Sequence, residues 1–432
     1  MMENKKIIIA TGIFPPEIGG PATYTEKLAQ ELKNRGFETG VITYFNPVNY
    51  EIDNQEVNMS FSRCGLAAAS AKKTCSPPLK LSFCNSKFNL GSESKKYDFP
   101  LIKISRRFPL GIRHFLYFWR LLKIAKDFDV IYAQCPVSSG LPACCAAKIL
   151  DKKFALKIVG DYAWEQAKVN YNIRESIETF QNRKDYPFKI KILKFLEKWV
   201  AKNAKQIIIP SNYLKNIIVQ WGVRQDRIKV VYNSIENAVI FSDLNKEEAQ
   251  NKIKIKGNIF LSAGRLVPWK GFDVLIKIMP ELLTKNIRFK LVIAGSGPEE
   301  DNLKNLIKDL HLENYVFLIG QINHSEMAYY FKAADLFVLN TGYEGLSHII
   351  LEAMRYELPV VTTQIGGNPE IIEHNYNGLL AEYNNKKELI KAIWNLWQDK
   401  ESQNRFTENS KKVLEKFTFE RMFKETLEVL NK

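Results

Sequence analysis

The stretch Asn340–Met354, N-T-G-Y-E-G-L-S-H-I-I-L-E-A-M, decides how the rest of the chain is read. The short apolar run Asp335–Leu339 before it stops at Asn340-Thr341-Gly342, the pattern of a buried strand ending in a turn. From Leu346 the spacing becomes helical, with Leu346, Ile349, Ile350 and Ala353 on one side. A strand, a tight turn and a helix N-terminus offer free backbone N–H groups and a positive dipole end to an anion. Two carboxylates, Glu344 and Glu352, bracket the turn. Eight helical residues rise about 12 Å, and eight steps of about 100° bring the second acid nearly back to the face of the first. Such a pair is spaced to grip two separated parts of one elongated, hydroxyl-rich ligand, whereas acid/base partners sit closer together. The same letters also fit a surface helix with two solvated acids, so the neighbouring turns have to decide.

Upstream, the strand Ile259–Ala263 runs into G-R-L-V-P-W-K-G-F. Arg265 and Lys270 there place a guanidinium and an ammonium on a turn entering a helix, where they can neutralise an anion such as a phosphate. The strand Phe289–Ala294 leads into Gly295-Ser296-Gly297-Pro298 and a helix over Glu299–Leu310. A strand over Val316–Gly320 and a helix over Ser325–Ala333 follow. Downstream, the strand Pro359–Thr363 ends in Gly366-Gly367-Asn368-Pro369-Glu370, and Lys386–Trp397 and Gln403–Leu430 read as helical.

The first half has the same rhythm. Lys6–Thr11 reads as a strand, Pro21–Arg35 as a helix closed by Gly36, and Glu38–Tyr44 as a second strand, the opening β-α-β of a doubly wound sheet. Gly19-Gly20 precede that helix, where backbone can approach a phosphate or sugar closely. Strands are expected over Leu101–Ser105, Val130–Cys135, Phe154–Val159 and Gln206–Pro210, and helices over Leu110–Lys126, Ser138–Leu150 and Asn212–Val223, the last capped by Ser211. Gly160-Asp161-Tyr-Ala-Trp-Glu165 follows the Phe154–Val159 strand, at the carboxyl end where open α/β sheets place ligands. Asp161 is a candidate for a group beside the reacting centre; the other reading is a helix N-cap. Asn46–Asp98 is Ser-, Asn-, Lys- and Pro-rich without a sustained period and reads as a poorly ordered insertion. Asn237–Lys256 reads as a polar hinge.

Together these motifs resemble the family 4 retaining glycosyltransferases of the GT-B fold: Glu344-x7-Glu352 after a strand, Gly264-Arg265 with Lys270-Gly271, and S-x-Y-L, W-G-V and V-x-N-S elements from Ser211 to Ser234. The resemblance covers nearly the whole chain except Asn46–Asp98. It implies an α/β protein of two doubly wound Rossmann-like domains facing a cleft. Residues 1–238 would form the acceptor-side domain and 239–414 the nucleotide-sugar domain, with a last helix, 415–432, crossing back to the first. It implies a hexose moved with retention, without a metal or other cofactor, from a UDP- or GDP-linked sugar to a glycan or lipid-linked acceptor hydroxyl of the cell-envelope kind. Arg265 and Lys270 would hold the diphosphate, with backbone groups of Gly345, Leu346 and Ser347. Glu352 would hold ribose and Glu344 the sugar. Gly19, Gly20, Gly264, Gly297 and Gln321 would line the donor site. Members often carry a His where this chain has Gly160 and Asp161, so Asp161 stands as the candidate there. Two other readings share the architecture: a nucleotide-sugar 2-epimerase, which needs no acceptor, and a catalytically dead glycan- or membrane-binding module.

Composition narrows the class further. Across 432 residues, 62 Lys and Arg against 47 Asp and Glu leave a net charge of +15, which favours anionic partners. No basic-aromatic single-strand platform accompanies it, so nucleic acid is not expected. Leu110–Lys126 mixes Phe115, Tyr117, Phe118 and Trp119 with Arg113, Arg120 and Lys123, a composition suited to a lipid interface; the other reading, slightly the stronger, is a helix packed on the sheet with a solvated basic side, and Lys189–Lys205 repeats the mix. No run approaches the length of a membrane span, the start has no signal-peptide core, and the six cysteines show no zinc spacing. The expected location is the cytoplasm, with peripheral contact to the inner face of the membrane.

Overall fold

The computed structural model describes residues 5–17, 19–46, 97–171, 173–235 and 244–432. Most of the expected insertion, 47–96, and the expected domain boundary at 238/239 lie outside the described residues. By internal packing the chain divides into two compact units, 1–154 and 155–432.

The first unit carries β1 (Ile7–Ala10), β2 (Thr39–Phe45), β3 (Leu101–Ser105) and β4 (Val130–Ala133), all parallel in the order β3-β2-β1-β4. Every residue of β1 and β4 is buried, as central parallel strands require. Helix α1 (Gly20–Asn34) starts with Pro21 in its first turn and buries Ala22, Thr25, Leu28, Ala29 and Leu32, an i, i+3, i+4 stripe. Helix α2 (Leu110–Ile124) buries only Tyr117 and Leu121 and leaves Leu110, Ile112, Phe115 and Trp119 exposed. Helix α3 (Gly140–Leu150) is the small-residue helix.

In the second unit β5 (Lys153–Lys157), β6 (Gln206–Ile209) and β7 (Ile228–Val230) run parallel and in that order. Helices α4 (Tyr162–Tyr171), α5 (Ile177–Asn182), α6 (Phe188–Asn203) and α7 (Asn212–Gln220) lie between them in sequence. Ser211 caps α7 by accepting from the Leu214 N–H, as expected.

A six-stranded parallel sheet follows: β8 (Asn258–Ala263), β9 (Phe289–Ala294), β10 (Val316–Leu318), β11 (Leu336–Leu339), β12 (Val360–Thr363) and β13 (Leu379–Ala381), ordered β10-β9-β8-β11-β12-β13. Its strands switch faces residue by residue. Ile259, Leu261, Phe337 and Leu339 feed one apolar cluster; Phe260, Leu291, Leu336 and Val338 feed the other. Each such side chain contributes about 1.5–3 kcal/mol when fully buried. The covering helices are α8 (Lys246–Ile253), α9 (Phe272–Lys285), α10 (Glu300–Asp309), α11 (His324–Ala333), α12 (His348–Arg355), α13 (Lys386–Gln398) and α14 (Lys400–Leu414). The last, α15 (Phe419–Asn431), packs against β6.

Three local expectations change. The segment 237–256 is not all linker: Asn245 accepts from the Glu248 N–H at 2.9 Å, the Glu248 carboxylate accepts from the Asn245 N–H at 3.0 Å, and this capping box starts α8. Gln403–Leu430 is not one helix, because the chain turns at Glu415–Phe417 and Thr418 caps a new one. The helix of the key motif starts at His348 rather than Leu346, so Glu344 lies in the turn and only Glu352 is helical.

Candidate active site

The β8–α9 turn and the β11–α12 turn are tied together by buried polar groups. Asn340 Nδ2 donates to the Gly271 carbonyl at 3.1 Å, and the Gly342 N–H donates to the Trp269 carbonyl at 2.7 Å. Gly271, in the left-handed region at φ 57°, lets Lys270 end a short 3-10 turn just before α9. The consequence is a direct ion pair between Lys270 Nζ and Glu344 Oε1, both side chains less than 15% exposed. The sequence places these residues 74 positions apart; the paired turns bring them together.

Backbone packs against backbone around Glu344. A Cβ on Gly345 would stand 2.4 Å from the Val159 carbonyl oxygen, and one on Gly367 2.3 Å from the Gly345 carbonyl oxygen. Glycine at both positions lets the turn sit flush on the end of β5 and on the loop after β12. Beyond it, the Ser347 hydroxyl is buried with no hydrogen-bond partner among the described residues. Helix α12 has eight residues and no side-chain cap, so its first N–H groups stay open to a ligand. Glu352 lies one turn beyond His348, off the face that buries Ile350, Leu351, Ala353 and Met354. His348 is reachable by solvent yet crowded; desolvation first, then the Lys157 and His324 charges, hold its imidazole down at about 4.

The remaining expected donor residues fall into two groups. Gly297 backs onto the β8–α9 turn, where a Cβ would stand 2.3 Å from the Leu266 carbonyl oxygen. The Gly295 N–H donates to the Gly320 carbonyl at 2.8 Å and Ser296 Oγ donates to Gln321 Oε1 at 3.4 Å, tying the turns after β9 and β10. Gly264 and the exposed Arg265 start the same cluster of turns. Gly19 and Gly20 belong to the first unit, where Gly19 precedes α1 and Gly20 opens it.

Asp161 is 2% exposed, and its carboxylate faces protein: Oδ1 accepts from the Trp164 N–H at 2.8 Å and Oδ2 from Gln181 Nε2 at 2.7 Å. That is the geometry of a helix cap. Glu197, 1% exposed, adds a second carboxylate to the same helix start, accepting from the Tyr162 and Ala163 N–H groups at 2.7 and 3.2 Å. Burial pushes the Asp161 carboxyl up.

Sequence reasoning passes over several residues that the structure puts here. Trp164 packs at a tilt between Trp269 and Tyr343, with ring centroids 5.2 and 4.7 Å away. The Tyr343 hydroxyl accepts from the Asp161 N–H at 3.3 Å. Glu370 accepts from the Asn212 and Tyr213 N–H groups, both at 2.9 Å, and from the Tyr232 hydroxyl at 2.9 Å, joining the loop after β12 to the start of α7. Lys157 is buried at the end of β5, its ammonium donating to Asn233 Oδ1 at 2.9 Å, and burial lowers it to about 7. Glu165 stands on the first turn of α4 beside the Arg265–Lys270–Glu344 group. A separate 510 Å³ cavity among β13, α13 and α14 is lined by none of these residues. Among the described residues no group of three or more His, Cys, Asp or Glu side chains converges as a metal site.

Two parallel sheets with cations, an acid and an open helix start at the carboxyl ends of the strands describe the GT-B class. The profile of Glycosyltransferase Family 4 matches residues 18–238 and that of Glycosyl transferases group 1 matches residues 243–413. The chain belongs to the family 4 glycosyltransferases. An uncharacterized glycosyltransferase of Haemophilus influenzae is 33% identical over 191 residues, 44% of this chain and 54% of that protein, so the match spans about half of that relative. An uncharacterized glycosyltransferase of Methanocaldococcus jannaschii is 24% identical over 98% of this chain and 97% of its own. Among solved structures, HepE of Anabaena in complex with UDP and glucose has a TM-score of 0.72 at 19% identity, covering 99% of both chains.

Proposed function

We propose that the chain transfers a hexose, with retention, from a nucleoside-diphosphate sugar to an acceptor hydroxyl on a glycan or lipid-linked chain. The observation that carries this is the Lys270–Glu344 pair set at the open start of α12, beside Arg265. In this reading the diphosphate takes Lys270 from Glu344 and shares it with Arg265, while the N–H groups after Glu344 and the Ser347 hydroxyl bind its oxygens. Freed, Glu344 accepts from hydroxyls of the transferred sugar, and Glu352 accepts from those of ribose. The Gly295–Gly297 and Gly320–Gln321 turns border the base. Asp161 acts from a distance, by fixing α4. Structures of HepE hold UDP-glucose, which favours a UDP-linked donor here over a GDP-linked one.

The first test is thermal. At a hundredfold excess over its dissociation constant, a donor that binds only the native state stabilises it by about 2.7 kcal/mol, so UDP-glucose is expected to raise the melting point above that with ADP-glucose or GDP-mannose. No shift with any of the three would reject the donor site. Product formed without acceptor would point to an epimerase instead.

The lipid-linked acceptor is supported by α2, whose Leu110, Phe115 and Trp119 are 60%, 61% and 46% exposed among basic residues. In α6, Phe188 and Phe195 are exposed beside Lys189, Lys191 and Lys198. Such faces lie on anionic bilayers, each nearby Lys or Arg adding about 1 kcal/mol. Among the described residues no helix is long and apolar enough to cross a membrane. Replacing Phe115 and Trp119 together with serine is expected to weaken binding to phosphatidylglycerol vesicles by about tenfold or more, read by co-sedimentation. Equal sedimentation of variant and wild type would remove the bilayer from the proposal.

A further inference from the structure

Glu165 is a carboxylate without a partner in a place full of charge. Among the described residues its side-chain oxygens meet no hydrogen-bond or ion-pair partner, and the residue is half-buried, so they open to solvent. Its position is nonetheless tightly set. The Glu165 N–H donates to the Asp161 carbonyl at 3.1 Å, in the first turn of the helix that Asp161 and Glu197 cap. A Cβ on Gly160 would stand 2.8 Å from Glu165 Oε1 and 3.0 Å from the Tyr343 hydroxyl, so the bare glycine opens the space these two groups share. The groups that face Glu165 come from every neighbouring element: Asp161 from the start of α4, Arg265 and Lys270 from the β8–α9 turn, and Glu344 and Tyr343 from the β11–α12 turn. A polar side chain held this firmly, with its own oxygens unspent, is set for something that is not part of the protein.

Charge counting says what happens when that ligand arrives. While the site is empty, Arg265 and Lys270 already face three acids, Glu344, Glu165 and Asp161. A diphosphate diester adds two negative charges, and a carboxylate facing it is repelled unless it gains a proton. A neutral carboxyl can then donate a hydrogen bond to a phosphate or sugar oxygen, which a carboxylate cannot.

Building on the proposed donor site, we propose that Glu165 contacts the nucleotide sugar directly, and that donor binding draws one proton from solvent onto its carboxyl. Glu165 is prepared for this by its surroundings: desolvation, then the Asp161 charge, hold it up at about 7 against the pull of Arg265 and Lys270. The bound diphosphate raises it further. The sign follows directly. Below about pH 6 the proton is already in place and binding takes up none; above pH 7 binding must take it up, so donor affinity falls as pH rises, by up to about tenfold per unit.

The test is calorimetric titration of the full chain with UDP-glucose, whose diphosphate diester has no proton to exchange near neutrality. At pH 8, heats are compared in HEPES and Tris, buffers of different ionisation enthalpy, with GDP-mannose and ADP-glucose run alongside. Uptake of about half to one proton at pH 8, vanishing near pH 5.5, is expected. Glu165→Gln keeps the shape and puts an amide N–H where the neutral carboxyl has its O–H, and should bind with no uptake and with an affinity that no longer falls above pH 7. Its melting point, measured in parallel, shows that the fold is kept. Binding without proton uptake, or uptake that persists in Glu165→Gln, overturns the inference while leaving the donor site standing. A flat thermogram with all three nucleotide sugars overturns both, because the donor site itself is then wrong.

Discussion

Replacing Arg265 with alanine is expected to lower kcat about 10²- to 10³-fold, the loss seen when one preorganised charge-stabilising donor is removed from a transition state. The reason is timing. The diphosphate is most negative as the sugar leaves, so the guanidinium is worth more there than in the ground state, and KM moves less than kcat. Arg265 is exposed and sits in a turn, so its loss costs the fold little. Lys270→Ala should cost at least as much activity, and for a second reason. It leaves Glu344 with its side chain only 13% exposed and no cation against it, so the acid that should face the sugar is itself destabilised. A melting point within a few degrees of wild type for Arg265→Ala, and a lower one for Lys270→Ala, would separate the two effects. The double variant should fall short of the product of the singles, because both residues act on one leaving group. Initial rates of UDP release provide the measurement. Turnover within threefold of wild type in Arg265→Ala would remove the leaving group from this turn.

Much of the geometry of the candidate site is legible in the sequence, and for a definite reason. Residues 259–271 and 335–354 each hold an apolar run, a glycine turn and a charged residue within a short window, so the chemistry is local. β9 falls on Phe289–Ala294, the expected limits, because an unbroken apolar run ends there at a glycine turn. What the sequence hides is what depends on partners far along the chain. Asp161 as a helix cap and Asp161 as a reacting group are the same letters; only Gln181 and the Trp164 N–H, folded onto its two oxygens, distinguish them. Helix α4 has a weak apolar stripe, and its start is capped by Glu197 from 35 residues away, so neither the helix nor the position of Glu165 can be read from nearby spacing. The capping box Asn245-x-x-Glu248 is local and is written in the sequence, but the surrounding Lys and Asn content suggests linker. Glu370 closes a Gly-Gly turn in the sequence; its bonds to Asn212, Tyr213 and Tyr232 come only with the fold.

The second large effect concerns Lys157, a residue that no motif marks. It is 2% exposed, and burial lowers its ammonium to about 7 from an ordinary 10.5. The unfolded chain therefore binds more protons than the folded one between those values, and stability rises with pH through that window. The penalty is full below pH 7, where folding must keep a buried group charged against its environment. Glu165 and His348 do not obscure this, since their windows close near 7 and 6.5. Above pH 9 the raised Cys144 thiol works in the opposite sense. Between pH 7 and 9 the wild type should thus gain about 2 kcal/mol, at about 1.4 kcal/mol per pH unit. Lys157→Met keeps the length and removes the charge. It leaves the Asn233 oxygen without its donor, at about 1–3 kcal/mol, yet it lifts a desolvation cost of about 4–5 kcal/mol at or below pH 7. The variant should therefore be more stable than wild type at pH 7, by about 1–3 kcal/mol, with the rise toward pH 9 gone. Urea unfolding across that range measures both. A wild type flat from pH 7 to 9, or a variant less stable at pH 7, would show that the ammonium is not strained. A strained cation is a cost that selection tolerates where it has a use. Lys157 ends β5, just before Val159 meets Gly345, and its charge reaches His348 on α12. The more stable Lys157→Met chain should accordingly turn over its donor more slowly than wild type.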